Sequence, residues 1–339
     1  MVPSRRVPSF KTMAMVLVSL LAAVFCGSAA AQVAPQADYE VHEWGLIRIG
    51  DRAETATSGL GSTPPVVPPD VHYDAVPAKP VIYFHPGPDF APETSIDVTI
   101  TLPEGELREV WPTPEAGAQP ILGASHTWSQ VTVETDSPCG GDLGPELTDP
   151  ACMSLLDGGV CEAAEMELYL GSTPHCLSVG EPPIRTPVLL YNGYLSSSET
   201  PVALWYPVSG ATIINAGAYT VGPIWLIEID TIYAIETLAP GERLRLGSVA
   251  DTFPATASQA TLSRRVLEAL MARGLTTVEA GQFIAAWQPD VLAAPYEWSV
   301  FGLYSAEQID AAFPLTFNPP PIATVRALAF VVETDLPAP

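Results

Sequence analysis

The sequence predicts a mainly β protein: an antiparallel β-sandwich with a helical hairpin toward the C-terminus and a disulfide-stapled loop insertion. Three observations predict it. Short β-branched and aromatic runs recur along most of the chain, separated by Pro and Gly. A helical apolar period appears only between about residues 259 and 312. Four of the five cysteines fall within 38 residues, from Cys139 to Cys176.

The strands come in two groups. "YEVHEWGLIRI" (39–49), "PVIYFH" (80–85), "SIDVTITL" (95–102), "ELREVW" (106–111) and "HTWSQVTVET" (126–135) precede the cysteine region. "TPVLLYNG" (186–193), "PVALWYPV" (201–208), "ATIIN" (211–215), "IWLIEIDTIYAIETL" (224–238), "ERLRLG" (242–247), "YEWSVFGLY" (296–304) and "TVRALAFVVE" (324–333) follow it. Ile96, Val98, Ile100 and Leu102 alternate with Asp97, Thr99 and Thr101, so one face is buried and the other wet. Helices are expected at about 259–288 and 305–312. Leu262, Val266 and Leu270 recur every four residues with Leu267 and Met271 beside them, and Gly274 supplies a left-handed cap. Thr276-x-x-Glu279 is a capping box that opens the second helix, with Val278, Phe283, Ile284 and Trp287 directed inward before Pro289 stops it. Ser305-x-x-Gln308 caps the third.

Residues 1–31 read as a signal peptide: Arg5, Arg6 and Lys11 precede the apolar run Met13–Phe25, and Ala29-Ala30-Ala31 offers a cleavage site. That thirteen-residue run, interrupted only by Ser19, is too short for a permanent span, and no later segment has eighteen uninterrupted apolar residues. The expected location is therefore periplasmic, cell-surface or extracellular. Beyond the leader stand a β region (32–135), a Cys-rich acidic insertion (136–185) and a second β region carrying the helices (186–339). Residues 54–70 are a Pro/Gly-rich connection.

The leader holds three of the fourteen Lys and Arg residues and none of the 38 acids, leaving 11 positive against 38 negative charges. A phosphate backbone is repelled by that field, which excludes nucleic acid as a partner. In an oxidising compartment, Cys139, Cys152, Cys161 and Cys176 form two disulfides; three pairings are open, with a mild preference for nearest neighbours (139–152 and 161–176). A zinc knuckle is disfavoured, because no C-x-x-C is present.

Chemistry-bearing residues are few. On a strand, His42 and Trp44 share one face while Glu43 faces the other, so His42 and Glu43 do not form a chelating pair. His42, His85 and His126 are the candidate ligands for a divalent metal ion. Glu228 and Asp230 share a face of an expected long strand, where they read as an acid pair or a solvated surface. Asp142, Glu146, Asp149 and Asp157 in the insertion are candidate calcium ligands, although no D-x-D-x-D-G loop is present. No G-x-S-x-G, S-x-x-K, P-loop or G-x-G-x-x-G occurs, so nothing marks a nucleophile or a nucleotide site.

The segments "VHEWG" (41–45), "KPVIYFHP" (79–86), "LPEGELREVWP" (102–112) and "PLTFNPPP" (314–321) together resemble a family of exported bacterial proteins with no assigned activity. Such proteins open on V-H-E-W-G and carry a K-P-V-x-Y-F strand, a C-terminal helix pair and a closing Pro-rich strand. They read Gly-Thr-Phe after the tryptophan, where this chain has Gly45-Leu46-Ile47. The cysteine region falls outside the resemblance. What the resemblance implies is export and a shared architecture; it lends no catalytic residue.

These features favour a non-enzymatic periplasmic or cell-surface protein that binds a protein or carbohydrate ligand, since secreted sandwiches fix recognition loops on a rigid scaffold. The alternative is a metal-dependent enzyme using His42 with His85 and His126.

Overall fold

A computed structural model of the chain describes residues 37–50, 74–103, 105–112, 123–135, 139, 175–195, 201–205, 212–228, 231–249, 251–254, 259–287 and 298–333. All of them belong to the compact unit Gln36–Pro339. The protein is mainly β, with three sheets and three α-helices among the described residues.

The largest sheet has nine strands, in the order β14 (Thr252–Pro254), β12 (Thr231–Ile235), β11 (Ile224–Glu228), β15 (Trp298–Leu303), β17 (Pro321–Glu333), β1 (Ala37–Gly50), β2 (Asp74–Pro86), β8 (Leu189–Leu195) and β4 (Gly105–Trp111). A five-stranded sheet runs β16 (Leu315–Asn318), β3 (Ile96–Thr101), β5 (Ser125–Glu134), β6 (Cys176–Val179) and β7 (Ile184–Thr186). Three short strands form the third: β13 (Arg243–Arg245), β10 (Thr212–Ile214) and β9 (Ala203–Trp205). The helices are α1 (Gln259–Ala272), α2 (Thr277–Trp287) and α3 (Ala306–Ala312).

Two expectations change here. The N-terminal strand β1 pairs antiparallel with β2 on one side but parallel with the C-terminal strand β17 on the other, so the large sheet is mixed rather than antiparallel. Residues 224–238 are not one long strand but two, β11 and β12, paired antiparallel with Ile227 opposite Ile232. The side chains of Glu228 and Asp230 lie outside the described residues.

Period two on β1 distributes its side chains between two cores. Tyr39, Val41, Ile47 and Ile49 enter a cluster shared with Ile96, Val98 and Ile100 of β3 and with Val131 and Val133 of β5. Trp44 and Leu46 enter a second cluster with Leu262, Val266 and Leu270 of α1 and Phe283 and Trp287 of α2. The nine-stranded sheet is thus apolar on both faces. Trp44 and Phe283 meet edge to face with ring centroids 5.8 Å apart. Removing such a buried ring costs about 3–5 kcal/mol. On β3, the expected alternation appears as strict inside–outside burial.

The helical hairpin closes as its local chemistry dictates. Gly274 has φ +106°, its N–H donates to Met271 O, and Leu275 N–H donates back to Leu270 O. This is a Schellman turn, with Leu270 and Leu275 buried in the same cluster. The turn brings Thr276 directly to the start of α2. Phe283, Ile284 and Trp287 are buried as expected, but Val278 is 49 % exposed and Met271 40 %. The inward face of α2 instead begins with Glu279, a buried carboxylate that an apolar count overlooks.

Among the cysteines, Cys139 bonds to Cys176, which overturns the nearest-neighbour pairing. The reason is sheet topology: β5 and β6 are antiparallel neighbours with Glu134 opposite Cys176, so the chain leaves and re-enters at one point. Cys152, Cys161 and the candidate calcium ligands Asp142, Glu146, Asp149 and Asp157 lie outside the described residues. Among the described residues, no helix is long and apolar enough to cross a membrane.

Candidate metal centre

Strands β1 and β2 set the floor of the site. Glu40 is opposite His85 across this antiparallel pair, and His42 is opposite Tyr83. Gly45 lets the strands close up, since a Cβ there would stand 2.7 Å from Pro80 Cα. The two segments V-H-E-W-G and K-P-V-x-Y-F are therefore interlocking neighbours, and His42 and His85 lie on their helix-facing side. The imidazole centroids are 4.2 Å apart.

The roof is the first turn of α2. Thr276 Oγ1 accepts the Glu279 N–H at 3.2 Å, while Glu279 Oε2 accepts from the Thr276 N–H and hydroxyl, both at 2.8 Å. That is the predicted capping box, placed where the helix dipole favours a carboxylate. The same carboxylate does more. Its Oε2 is 2.8 Å and its Oε1 3.1 Å from His42 Nδ1, and Oε1 is also 2.8 Å from His85 Nε2. A carboxylate only accepts, so without a bound ion both imidazoles donate to it.

Glu279 and His42 are inaccessible, with side-chain exposures of 0 % and 6 %, whereas His85 is 26 % exposed and opens the site to solvent. Burial pushes the Glu279 carboxyl up, but the hydrogen bonds from His42 and His85, the His42 charge and the Thr276 N–H outweigh it. The net effect holds Glu279 well below the usual carboxylate range. Among the described residues its ion-pair partners are these two histidines. Behind them, the Tyr83 hydroxyl donates to Gln282 Oε1 at 3.1 Å, tying β2 to the next turn of α2. At the rim, Glu40 Oε2 lies 3.7 Å from His42 Nε2 and its side chain is 46 % exposed.

Donor atoms of His42, His85 and Glu279 all lie within 4.8 Å of one another, a grouping that suits a metal ion. Two of the three sequence candidates are thus brought together. His126 is not in the group; it sits on β5 of the five-stranded sheet, its ring edge-on to Trp128 at 4.9 Å. Glu279 takes the third place. The sequence signal that marks it, a capping-box glutamate, is the same signal that a solvent-facing cap carries.

No protein-family model matches the chain. No curated protein matches it either. Among solved structures, the chain is similar to the "Fcho1 Mu homology domain (Danio Rerio) with bound Eps15 peptide", at 7 % identity and a TM-score of 0.35, over 90 % of this chain and 99 % of that one. A likeness of that degree assigns no function.

Proposed function

We propose that this chain is an exported binding protein whose working centre is a divalent transition-metal site formed by His42, His85 and Glu279. Export rests on the signal-like residues 1–31 and on the resemblance to exported proteins carried by "VHEWG" and "KPVIYFHP". The core shared by the five- and nine-stranded sheets supports a sandwich-like platform, with the site on the opposite, helix-covered face of the larger sheet. The observation that carries the reading is the Glu279 carboxylate: fully buried, met by two imidazoles, and touched by no Lys or Arg among the described residues. A buried carboxylate needs a positive partner, which an imidazolium or a bound ion supplies, and two imidazole nitrogens beside it are the donors a borderline metal prefers.

Two histidines and a glutamate form a recognised zinc donor set. Metal–ligand bonds of about 2.0–2.2 Å space tetrahedral donors roughly 3.3–3.6 Å apart, so the 2.8 Å contacts would open by about 0.5–0.8 Å around an ion. Ion and imidazole protons compete for the same nitrogen atoms, which makes the affinity pH-dependent. Elemental analysis of protein purified from its native compartment, followed by zinc titration of the stripped protein, tests the proposal. One equivalent of zinc is expected in the wild type, with loss in Glu279→Gln and His42→Ala. Wild type and both variants binding zinc equally weakly would overturn it.

Metal-dependent catalysis is the second reading. The donor count favours it, because three protein ligands leave a tetrahedral ion one free position.

A further inference from the structure

We infer that Glu40 is the outer partner of His42 rather than a fourth ligand, so that the ion keeps one open position for an external oxygen or nitrogen donor. The inference rests on the metal reading above and deepens it. An ion shared with Glu279 and His85 binds His42 through Nδ1, the nitrogen that faces them. A neutral imidazole bound through Nδ1 carries its one proton on Nε2. Among the described residues, the carboxylate within ion-pair reach of Nε2 is that of Glu40, at 3.7 Å. That distance is longer than a hydrogen bond and within ion-pair reach, and the Glu40 side chain is 46 % exposed.

The backbone puts Glu40 there. It lies two residues before His42 on the same face of β1 and opposite His85 in the β1–β2 register. The two nitrogens of one imidazole point away from each other, so a carboxylate on Nε2 is directed away from an ion on Nδ1. Glu40 is therefore a positioning residue: it selects the tautomer and holds the ring, as carboxylate partners of metal-bound histidines do. Three protein donors would leave a tetrahedral ion one open position, and His85 and Glu40 are the members of this cluster that reach solvent. A water molecule, or a carboxylate or phosphate oxygen of a bound ligand, fits that position.

Cobalt(II) substituted for zinc in the full chain reads both claims through its visible absorption. Sodium azide should shift the bands of the wild-type cobalt protein by entering the open position. Glu40→Ala should keep the bands of the three-donor centre while lowering metal affinity about 10–100-fold, and Glu40→Gln, which retains an acceptor oxygen, should recover part of the loss. An azide-insensitive spectrum overturns the open position. Glu40→Ala bands altered to the same extent as those of His85→Ala make Glu40 a ligand and overturn its outer role, as does unchanged affinity in Glu40→Ala. Wild-type protein that binds neither cobalt nor zinc defeats the metal reading itself, a result distinct from these.

Discussion

Arg326 Nε donates to Glu43 Oε2 at 2.6 Å, with both side chains buried, across the parallel β1–β17 pairing of the large sheet. The Tyr191 hydroxyl donates to the other Glu43 oxygen at 2.8 Å, and Arg326 also donates to Phe313 O and Asp310. One β1 residue away, His42 faces the opposite core. The pair therefore pins the register that keeps His42 toward α2: a slip by one residue exchanges the two faces. Arg326→Met should cost about 3–5 kcal/mol, because it leaves Glu43 buried without its cation. Replacing both, with Glu43→Leu and Arg326→Met, should restore much of that loss. A denaturant double-mutant cycle measures it, and a double variant as unstable as the sum of the singles refutes the coupling.

Two glycines should respond in opposite directions. Gly45→Ala drives a Cβ to 2.7 Å from the Pro80 backbone and should destabilise by about 1–3 kcal/mol. Gly281, inside α2, has nothing within 4 Å of an added Cβ, so Gly281→Ala should stabilise by about 0.5–1 kcal/mol. Thermal or denaturant midpoints of the two variants check the signs. Equal shifts would contradict the close approach of β1 to β2.

His126 predicts an acid-side slope in stability. Burial lowers its pKa from 6.5 to about 4, and its buried Nε2 has no hydrogen-bond partner among the described residues. Below pH 6.5 the unfolded chain takes up a proton that the native ring refuses. Stability contributed by the neutral ring should therefore fall as pH drops from about 6.5 to about 4 and level off below. The effect should be about 1–2 kcal/mol after allowance for partial contact with water. His126→Phe should flatten the curve in that window. An unchanged slope in the variant would remove His126 as its source.

The disulfide assignment is directly measurable. A non-reducing peptide map should join the Cys139 and Cys176 peptides, which are 37 residues apart in sequence. Cys139→Ser should lower stability by about 3–4 kcal/mol through the larger conformational freedom of the open unfolded chain. Cys139→Ser with Cys176→Ser should be no less stable than either single variant. Recovery of a Cys139–Cys152 peptide instead would restore the nearest-neighbour pairing and refute this one.

Local pattern alone determined a great deal: the strand at 39–49, the alternation on β3, the Schellman glycine, both helix caps and the common side of His42 and Trp44. Each depends on residues a few positions apart, where steric period and capping hydrogen bonds act without reference to the rest of the chain. Tertiary structure alone decided which strands became neighbours. The β11–β12 hairpin, the parallel β1–β17 pairing and the Cys139–Cys176 bond all follow from sheet order, and alternation carries no record of it. Glu279 shows the division most sharply. Its capping role was legible three residues from Thr276, whereas its meeting with His85 and His42 spans 194 and 237 residues. A capping glutamate is written the same way whether it faces water or two imidazoles; only the packing of α2 on the sheet buries it between them.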